Sequence, residues 1–300
     1  MKKEHICVCM CTYKRPLLLA RAIRHLQNQS TDDLFDYSLI VIDNDSEGSA
    51  KSVISQNLKN IIYDIEPVQN IALARNRAVK FAFGEFVAFI DDDEFPCSRW
   101  LYNLYTTQAK YQKAGVLGPV KPHFDGTPPK WLITSGVCER SKLSTGTLLN
   151  PKFTRTGNAL IRTDVFKKDG NLFDPKFGRT GGEDTDFFHR VINKGNEFVW
   201  CNEAVVYEVV PPERWARAFY IKRALLRGRT SYLHDQPLPF SQRAQILTKS
   251  FLTFTLYSAI LPVMIALGEK FRMKFFERYF HHVGRIMTAC GIVFVNERSS

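Results

Sequence analysis

Glu85-Phe-Val-Ala-Phe-Ile-Asp-Asp-Asp-Glu94 carries an apolar strand straight into four consecutive carboxylates, and Phe95-Pro96 is expected to stop any regular continuation. Like charges at the end of a buried strand repel one another and resist losing water, so folding alone gives little reason to put them there. A divalent cation would neutralise the run, and hard carboxylate oxygens suit Mg²⁺ or Mn²⁺. A solvated acidic turn is the plainer alternative. The neighbouring segments decide between the two.

Upstream, residues 5–11 read as a short apolar strand ending in Thr12-Tyr13-Lys14-Arg15-Pro16, with Pro16 placed for the first turn of a helix over 17–27. Residues 37–42 and 61–65 read as further strands, 72–83 and 98–113 as helices, and 116–120 as another strand. Strands alternating with helices of this length predict a mostly parallel sheet covered on both faces, the α/β class. Ligands gather outside the carboxyl ends of such strands. Three polar clusters fall there: Thr12 to Arg15, Asp43-Asn44-Asp45-Ser46, and Asp91 to Glu94. Three clusters on one edge predict a binding site rather than solvated turns.

Beyond 120 the pattern loosens through a Pro- and Gly-punctuated loop before Trp131. Residues 156–161 read as a strand, with Thr163 as the cap of a brief helix. Gly181-Gly182-Glu183-Asp184 leads into a helix over 185–194, and 198–201 and 204–209 read as closing strands. A basic amphipathic helix is expected over 211–229, followed by an apolar appendage from Thr248.

The motifs together resemble family 2 glycosyltransferases of the GT-A fold, particularly the bacterial exopolysaccharide type that includes succinoglycan glycosyltransferases. The resemblance spans about residues 4–230. It rests on Cys11-Thr-Tyr-Lys-Arg-Pro16, Val41-Ile-Asp-Asn-Asp-Ser46, Ala74-Arg-Asn-Arg-Ala78, Phe89-Ile-Asp-Asp-Asp-Glu94 and Gly182-Glu-Asp184. It implies a catalytic domain over 1–230 and, by residue, a nucleotide-sugar site. Thr12 and Tyr13 would line a uracil pocket with Arg15 nearby. Asp43 and Asn44 would hydrogen-bond the base, Asn44 standing where many members have Asp. Arg75 and Asn76 would contact the nucleotide. Asp91 and Asp93 fill the Asp-x-Asp positions that hold Mn²⁺ or Mg²⁺ on the diphosphate, with Asp91 and Asp92 also facing the nucleotide-sugar. Glu208 stands near the place where relatives carry a metal-binding His. Asp184 matches the general base, with Glu183 beside it. Trp131, Arg140, Glu183 and Asn158 are acceptor-side candidates. Arg223, Arg227 and Arg229 would clamp the diphosphate or face lipid.

The chemistry explains these residue types. Breaking a sugar–phosphate bond develops negative charge on the departing diphosphate, which a cation stabilises as a Lewis acid. The acceptor hydroxyl must lose a proton as it attacks, and a carboxylate on the opposite side of the sugar takes it. The implied activity is transfer from a nucleotide-linked donor, UDP-linked by the resemblance, to a growing lipid-linked saccharide with inversion. A sugar nucleotidylyltransferase would also have an acidic α/β site, but would carry a Gly-rich phosphate loop where Thr12–Pro16 has no glycine. A non-catalytic saccharide-binding relative would have lost the metal or base residues, and both sets are present.

Charge and composition bound the partners. The net charge is +11, of which residues 209–300 hold +9 (14 Lys/Arg against 5 Asp/Glu). This basic third is also the most apolar, which points to an anionic membrane surface rather than nucleic acid, for which no reader motif is present. Residues 251–268 carry no charge. As a helix they would reach about 27 Å against a hydrocarbon core of about 30 Å. Residues 231–300 are therefore expected to attach, peripherally or as a re-entrant pair, to the cytoplasmic face of the inner membrane; an ordinary buried helical hairpin is the alternative. The seven cysteines form no CxxC pair, and Cys7, Cys9 and Cys11 alternate along one strand as small buried residues. No signal peptide is expected, consistent with a reducing compartment.

Overall fold

The computed structural model describes residues 3–54, 60–140, 142–179, 181–234, 238–266 and 268–292. Leu267 of the uncharged run, together with 235–237 and 293–300 of the expected C-terminal region, lies outside them. The chain divides into two compact units, Met1–His123 with Arg140–Val209 and Phe124–Glu139 with Val210–Ser300.

In the first unit, strands β1 (Glu4–Thr12), β2 (Phe35–Asp43), β3 (Ile61–Ile65) and β4 (Phe86–Ile90) are parallel. Three short strands follow: β5 (Glu94–Pro96), β6 (Gly115–Leu117) and β7 (Val120–His123). Then come β8 (Asn158–Arg162), β9 (Phe198–Trp200) and β10 (Val206–Val209). One sheet has the order β3-β2-β1-β4-β8-β6-β9, with β8 antiparallel to both neighbours, and a three-stranded sheet has the order β5-β10-β7. The helices of this unit are α1 (Pro16–Gln27), α2 (Lys51–Ile54), α3 (Ile71–Phe81) and α4 (Trp100–Tyr111). Two more, α6 (Thr163–Lys167) and α7 (Glu183–Asn193), lie beyond α5 (Lys130–Ser135), which belongs to the second unit.

The period of two in β1 assigns its residues to two cores. Ile6, Val8 and Met10 pack with Leu19, Ile23 and Leu26 of α1 and Trp100 and Leu104 of α4. Cys7 and Cys9 pack with Ala72, Ala74 and Ala78 of α3 and Phe187, Phe188 and Val191 of α7. Helices thus cover both faces of the large sheet, as the uninterrupted apolar strands require. The cysteines are the small members of that second core, so small alanines of α3 approach the sheet closely.

Three expectations need correcting. Phe95-Pro96 does not end regular structure: with Glu94 it forms β5, an edge strand of the small sheet, where a proline without an N–H breaks no ladder bond. The strand expected over 116–120 is two strands, β6 and β7, in different sheets, because the chain turns at Gly118-Pro119. Thr163 does not cap α6; it is the first helical residue, and its hydroxyl donates to the Gly84 carbonyl at 2.7 Å.

The second unit is helical: α5, α8 (Arg217–His234), α9 (Phe240–Ala266) and α10 (Glu269–Ala289). Residue 230, taken from the sequence as a domain end, falls inside α8. Leu132 of α5, Tyr220 of α8 and Met273 of α10 form the buried centre of the unit. One side of α9 packs on α10 through Tyr257 on Phe275 (4.9 Å) and Phe254 on Tyr279 (5.5 Å). The other side carries Leu252, Leu256, Ile260 and Val263 exposed to solvent. Among the described residues α9 alone is long and apolar enough to cross a membrane, and only 6% of its apolar 18-residue window is buried. It is therefore not the core helix of a buried hairpin.

Candidate active site

Register brings the expected clusters together. Thr12 at the end of β1 lies opposite Asp43 at the end of β2, and Asp43 lies opposite Ile65 of β3. The acidic run leaves β4 one residue after Ile90, on the same edge.

The four carboxylates have four different surroundings. Asp92 is buried and accepts from the Thr12 hydroxyl (2.8 Å) and from Arg15 (3.1 Å). Asp93 also receives Arg15, at 3.3 Å. Burial, reinforced by Asp91, Asp92 and Glu208, pushes the Asp93 carboxyl up to about 7. Glu94 is buried too, and burial and Asp91 raise its carboxyl well above the usual range while Arg140 opposes them. Asp91 is the open one: its side chain is 44% exposed, and Arg75 holds it at 3.1 Å. The Asp91 amide donates to Glu94 at 3.1 Å, closing the run into a tight turn. Gly157 makes room for this corner, since a Cβ there would stand 2.7 Å from one Glu94 oxygen and 3.2 Å from Asp91 Oδ2.

On the far side of Arg75 stands the start of α7. Gly181 and Gly182 take φ of +81° and +98°, which residues with a Cβ rarely adopt. From that turn Glu183 points inward, buried and ion-paired with Arg75, while Asp184 remains partly exposed and accepts from the Thr185 amide at 2.7 Å. Carboxylates in the first turn are favoured by the helix dipole. Burial raises the Glu183 carboxyl and Arg75 opposes the rise.

Several expected contact residues prove to be braces. The Asn44 amide donates to the carbonyls of Glu66 (2.9 Å) and Val68 (2.6 Å), and its oxygen accepts from the Asn70 amide (2.8 Å). Both amide hydrogens are engaged within the protein, so Asn44 braces the loop. Asp43, fully buried, accepts from the Ala50 amide (2.7 Å) and the Tyr63 hydroxyl (3.1 Å). Asn76 exchanges two bonds with the backbone of Phe173 (2.8 and 2.9 Å) instead of facing a nucleotide. Asn158 is no acceptor contact: buried, it accepts from Trp100 Nε1 (2.8 Å) and donates to the carbonyls of Pro119 and Ala204 (3.0 and 2.7 Å). Glu183, expected on the acceptor side, is likewise interior. Glu208 and Arg140 pair with each other at 2.5 Å. Tyr13 is partly exposed, with Lys14 above its ring. Trp131 belongs to the second unit, packed edge-on against Tyr220 (6.0 Å) and under Arg217 (4.7 Å). Arg227, there too, pairs with Glu277 at 2.7 Å.

Sequence reasoning missed Asn70, whose side chain caps α3 by accepting from the amides of Ala72 and Leu73. An Asn directly before an apolar-periodic run is the signal that would have found it. The Arg140–Glu208 pair joins distant positions and has no local signal.

Among the described residues no three His, Cys, Asp or Glu side chains stand at ligating geometry for a metal ion. The donor chemistry nevertheless fits a hard divalent cation, because Asp91 and Asp93 are carboxylates of one tight corner, where burial and the neighbouring charge of Asp91 raise the proton affinity of Asp93.

A mixed sheet whose strand ends carry an acidic run, and a carboxylate-led helix across from it, define a glycosyltransferase of the GT-A fold. Solved structures agree on the fold. S. aureus TarS 1–349 in complex with UDP-GlcNAc aligns over 98% of this chain and 93% of its own, with TM-score 0.56 and 16% identity. GalNAc-T7 with UDP, GalNAc and Mn²⁺ aligns over 79% and 52%, with TM-score 0.56 and 13% identity. Residues 7–170 match the model described as glycosyl transferase family 2, and the chain belongs to that family. It is 35% identical over 236 residues to succinoglycan biosynthesis protein ExoM of Rhizobium meliloti (strain 1021), spanning 75% of this chain and 74% of the relative. It is 32% identical to the GalNAc(5)-diNAcBac-PP-undecaprenol beta-1,3-glucosyltransferase of Campylobacter jejuni subsp. jejuni serotype O:2 (strain ATCC 700819 / NCTC 11168), over 49% of this chain and 48% of that one.

Proposed function

We propose that this family 2 glycosyltransferase moves a sugar, with inversion, from a UDP-linked donor to a lipid-linked saccharide in the synthesis of a bacterial surface or exopolysaccharide. The observation that carries the reading is the juxtaposition, through the single side chain of Arg75, of the acidic corner at Asp91 and the start of α7 that bears Asp184. The names of the relatives support the acceptor class: one takes part in succinoglycan biosynthesis and another acts on an undecaprenol-linked saccharide. Structural neighbours were solved with UDP and UDP-GlcNAc, which supports the donor class.

In this reading Asp184 takes the proton of the acceptor hydroxyl as its oxygen bonds to the anomeric carbon and the bond to the diphosphate breaks. Arg15 holds Asp92 and Asp93 in place, and Thr12 fixes Asp92 from the first strand. Asp91 and Asp93 would hold Mn²⁺ or Mg²⁺, which supplies Lewis-acid stabilisation of the charge developing on the departing diphosphate. For Glu208 to act as a third ligand, Arg140 would have to release it.

The second unit would rest on an anionic membrane. The exposed apolar side of α9 and the basic residues around its uncharged run (Lys249 before; Arg272 and Lys274 after) match a surface that is apolar below and negative above.

The test is a screen of UDP- and GDP-sugars for Mn²⁺-dependent release of nucleoside diphosphate with a lipid-linked acceptor. Release from a UDP-sugar only when acceptor and Mn²⁺ are both present is expected. Equal release with EDTA would remove the metal from the reading, and release from GDP-sugars alone would remove the uridine donor.

A further inference from the structure

Helix α3 is fastened to the segment leading into α7 at four points. The Asn70 amide group donates to the Pro175 carbonyl (2.8 Å), and the Ile71 amide donates to the Gly178 carbonyl (3.2 Å). Asn76 exchanges its two bonds with Phe173, and Arg75 pairs with Glu183. Three are neutral hydrogen bonds to backbone. The fourth is a buried ion pair that continues to a second carboxylate, since Arg75 Nη1 serves Glu183 and Nη2 serves Asp91 at 3.1 Å. The ring of Phe173 lies 5.8 Å from the guanidinium carbon and helps exclude water from it.

We propose that Arg75 is a positioning residue that aims the base, rather than a contact to the nucleotide. Successive residues of an α-helix are turned by about 100°. With Glu183 drawn inward by Arg75, Asp184 is set one step round, at the partly exposed rim. Because the same guanidinium is fixed on Asp91, the rotation of α7 is referenced directly to the acidic corner. A bridge to two carboxylates needs a planar fork; a lysine has one nitrogen and cannot span both. This inference rests on Asp184 being the base, as proposed above.

The experiment compares wild type with Arg75→Lys and Glu183→Gln in the full-length chain. It measures kcat, donor KM, the Kd for UDP with Mn²⁺, and hydrogen exchange of the 183–187 amides without ligand. Misplacing a reacting group by about 1 Å costs on the order of 100-fold in rate. A fall in kcat of that order is expected for Arg75→Lys, with UDP affinity within about threefold of wild type and faster exchange at the start of α7. Glu183→Gln leaves Arg75 on Asp91, so it tests the lock with the acidic corner intact; the same loss of protection with a smaller fall in kcat is expected. UDP affinity falling in step with kcat would make Arg75 a nucleotide contact and overturn the proposal. Unchanged exchange in both variants would overturn it as well. Should the wild type release no nucleotide from any donor, the functional reading fails separately, and the exchange data alone still decide whether Arg75 holds α7.

Discussion

The two units depart from the ordinary rule of burial in opposite directions. The first hides charge: Arg75, Asp92, Glu94 and Glu183 are all buried. The second displays apolar side chains: Leu252, Leu256, Ile260 and Val263 stand along one exposed side of α9. Neither departure helps folding, since buried charge must be compensated and exposed apolar surface gains nothing from water. Each marks the place where a ligand or a surface is proposed above to meet the chain. A buried polar group need not have that meaning, however. Asn158 is as hidden as Arg75, but every bond it makes is to the protein's own framework.

Four experiments press on this contrast. The largest effect is expected from Asp184→Asn, which should lower kcat by about 10²- to 10⁴-fold, the usual contribution of a general base, while donor binding persists. Turnover near wild type would take Asp184 out of the reaction. Next, Asn158→Ala should cost about 2–4 kcal/mol in urea unfolding, because it strands Trp100 Nε1 in the core and takes a donor from the carbonyls of Ala204 and Pro119, of which Pro119 keeps the Val206 amide. A stable variant with impaired acceptor use would reverse its assignment as a brace.

The third concerns Asp93. A carboxyl raised to about 7 in the folded chain binds a proton that the unfolded chain, with an ordinary carboxyl, does not hold at neutral pH. Its protonation therefore stabilises the metal-free protein fully below the unfolded value, and that stabilisation is lost as pH rises through about 7. Cation binding needs the ionised form and runs the other way. Mn²⁺ affinity should weaken about tenfold for each pH unit below 7, and titration calorimetry of Asp93→Asn should show that dependence gone. The smallest effect on folding is expected from Leu252→Asp combined with Leu256→Asp. Both sites are exposed, so stability should stay within about 0.5 kcal/mol. Sedimentation with anionic vesicles should nonetheless be lost. Wild-type protein that ignores such vesicles would leave α9 without a membrane role.

The sheet and its edge were legible in the sequence because period-two alternation and acidic strand ends are local patterns. Ile6 to Cys11 announces two packed faces, and Asp91 to Glu94 announces a corner. The working and bracing members of the site were not separable in the same way. Asn44 and Asn76 sit in motifs that look like ligand contacts and Asn158 reads as an acceptor-side candidate, and only the positions of Val68, Phe173 and Trp100 reveal that their hydrogen bonds are already used. The turn at Gly118-Pro119 was missed because two three- or four-residue strands read as one when their partners are unknown.

The helical unit is assembled from pieces made far apart in time. Leu132 of α5 emerges from the ribosome early, but its packing partner Met273 follows only after residues 133–272 have been synthesised. Until then the inserted segment Phe124–Glu139 has at most the α8 part of its packing, Tyr220, although the strands on either side of it can already pair. A nonsense codon in α9 would therefore do more than delete an exposed apolar helix. It would release a chain whose first unit carries a permanently unfinished insertion, a natural target for chaperones and proteases.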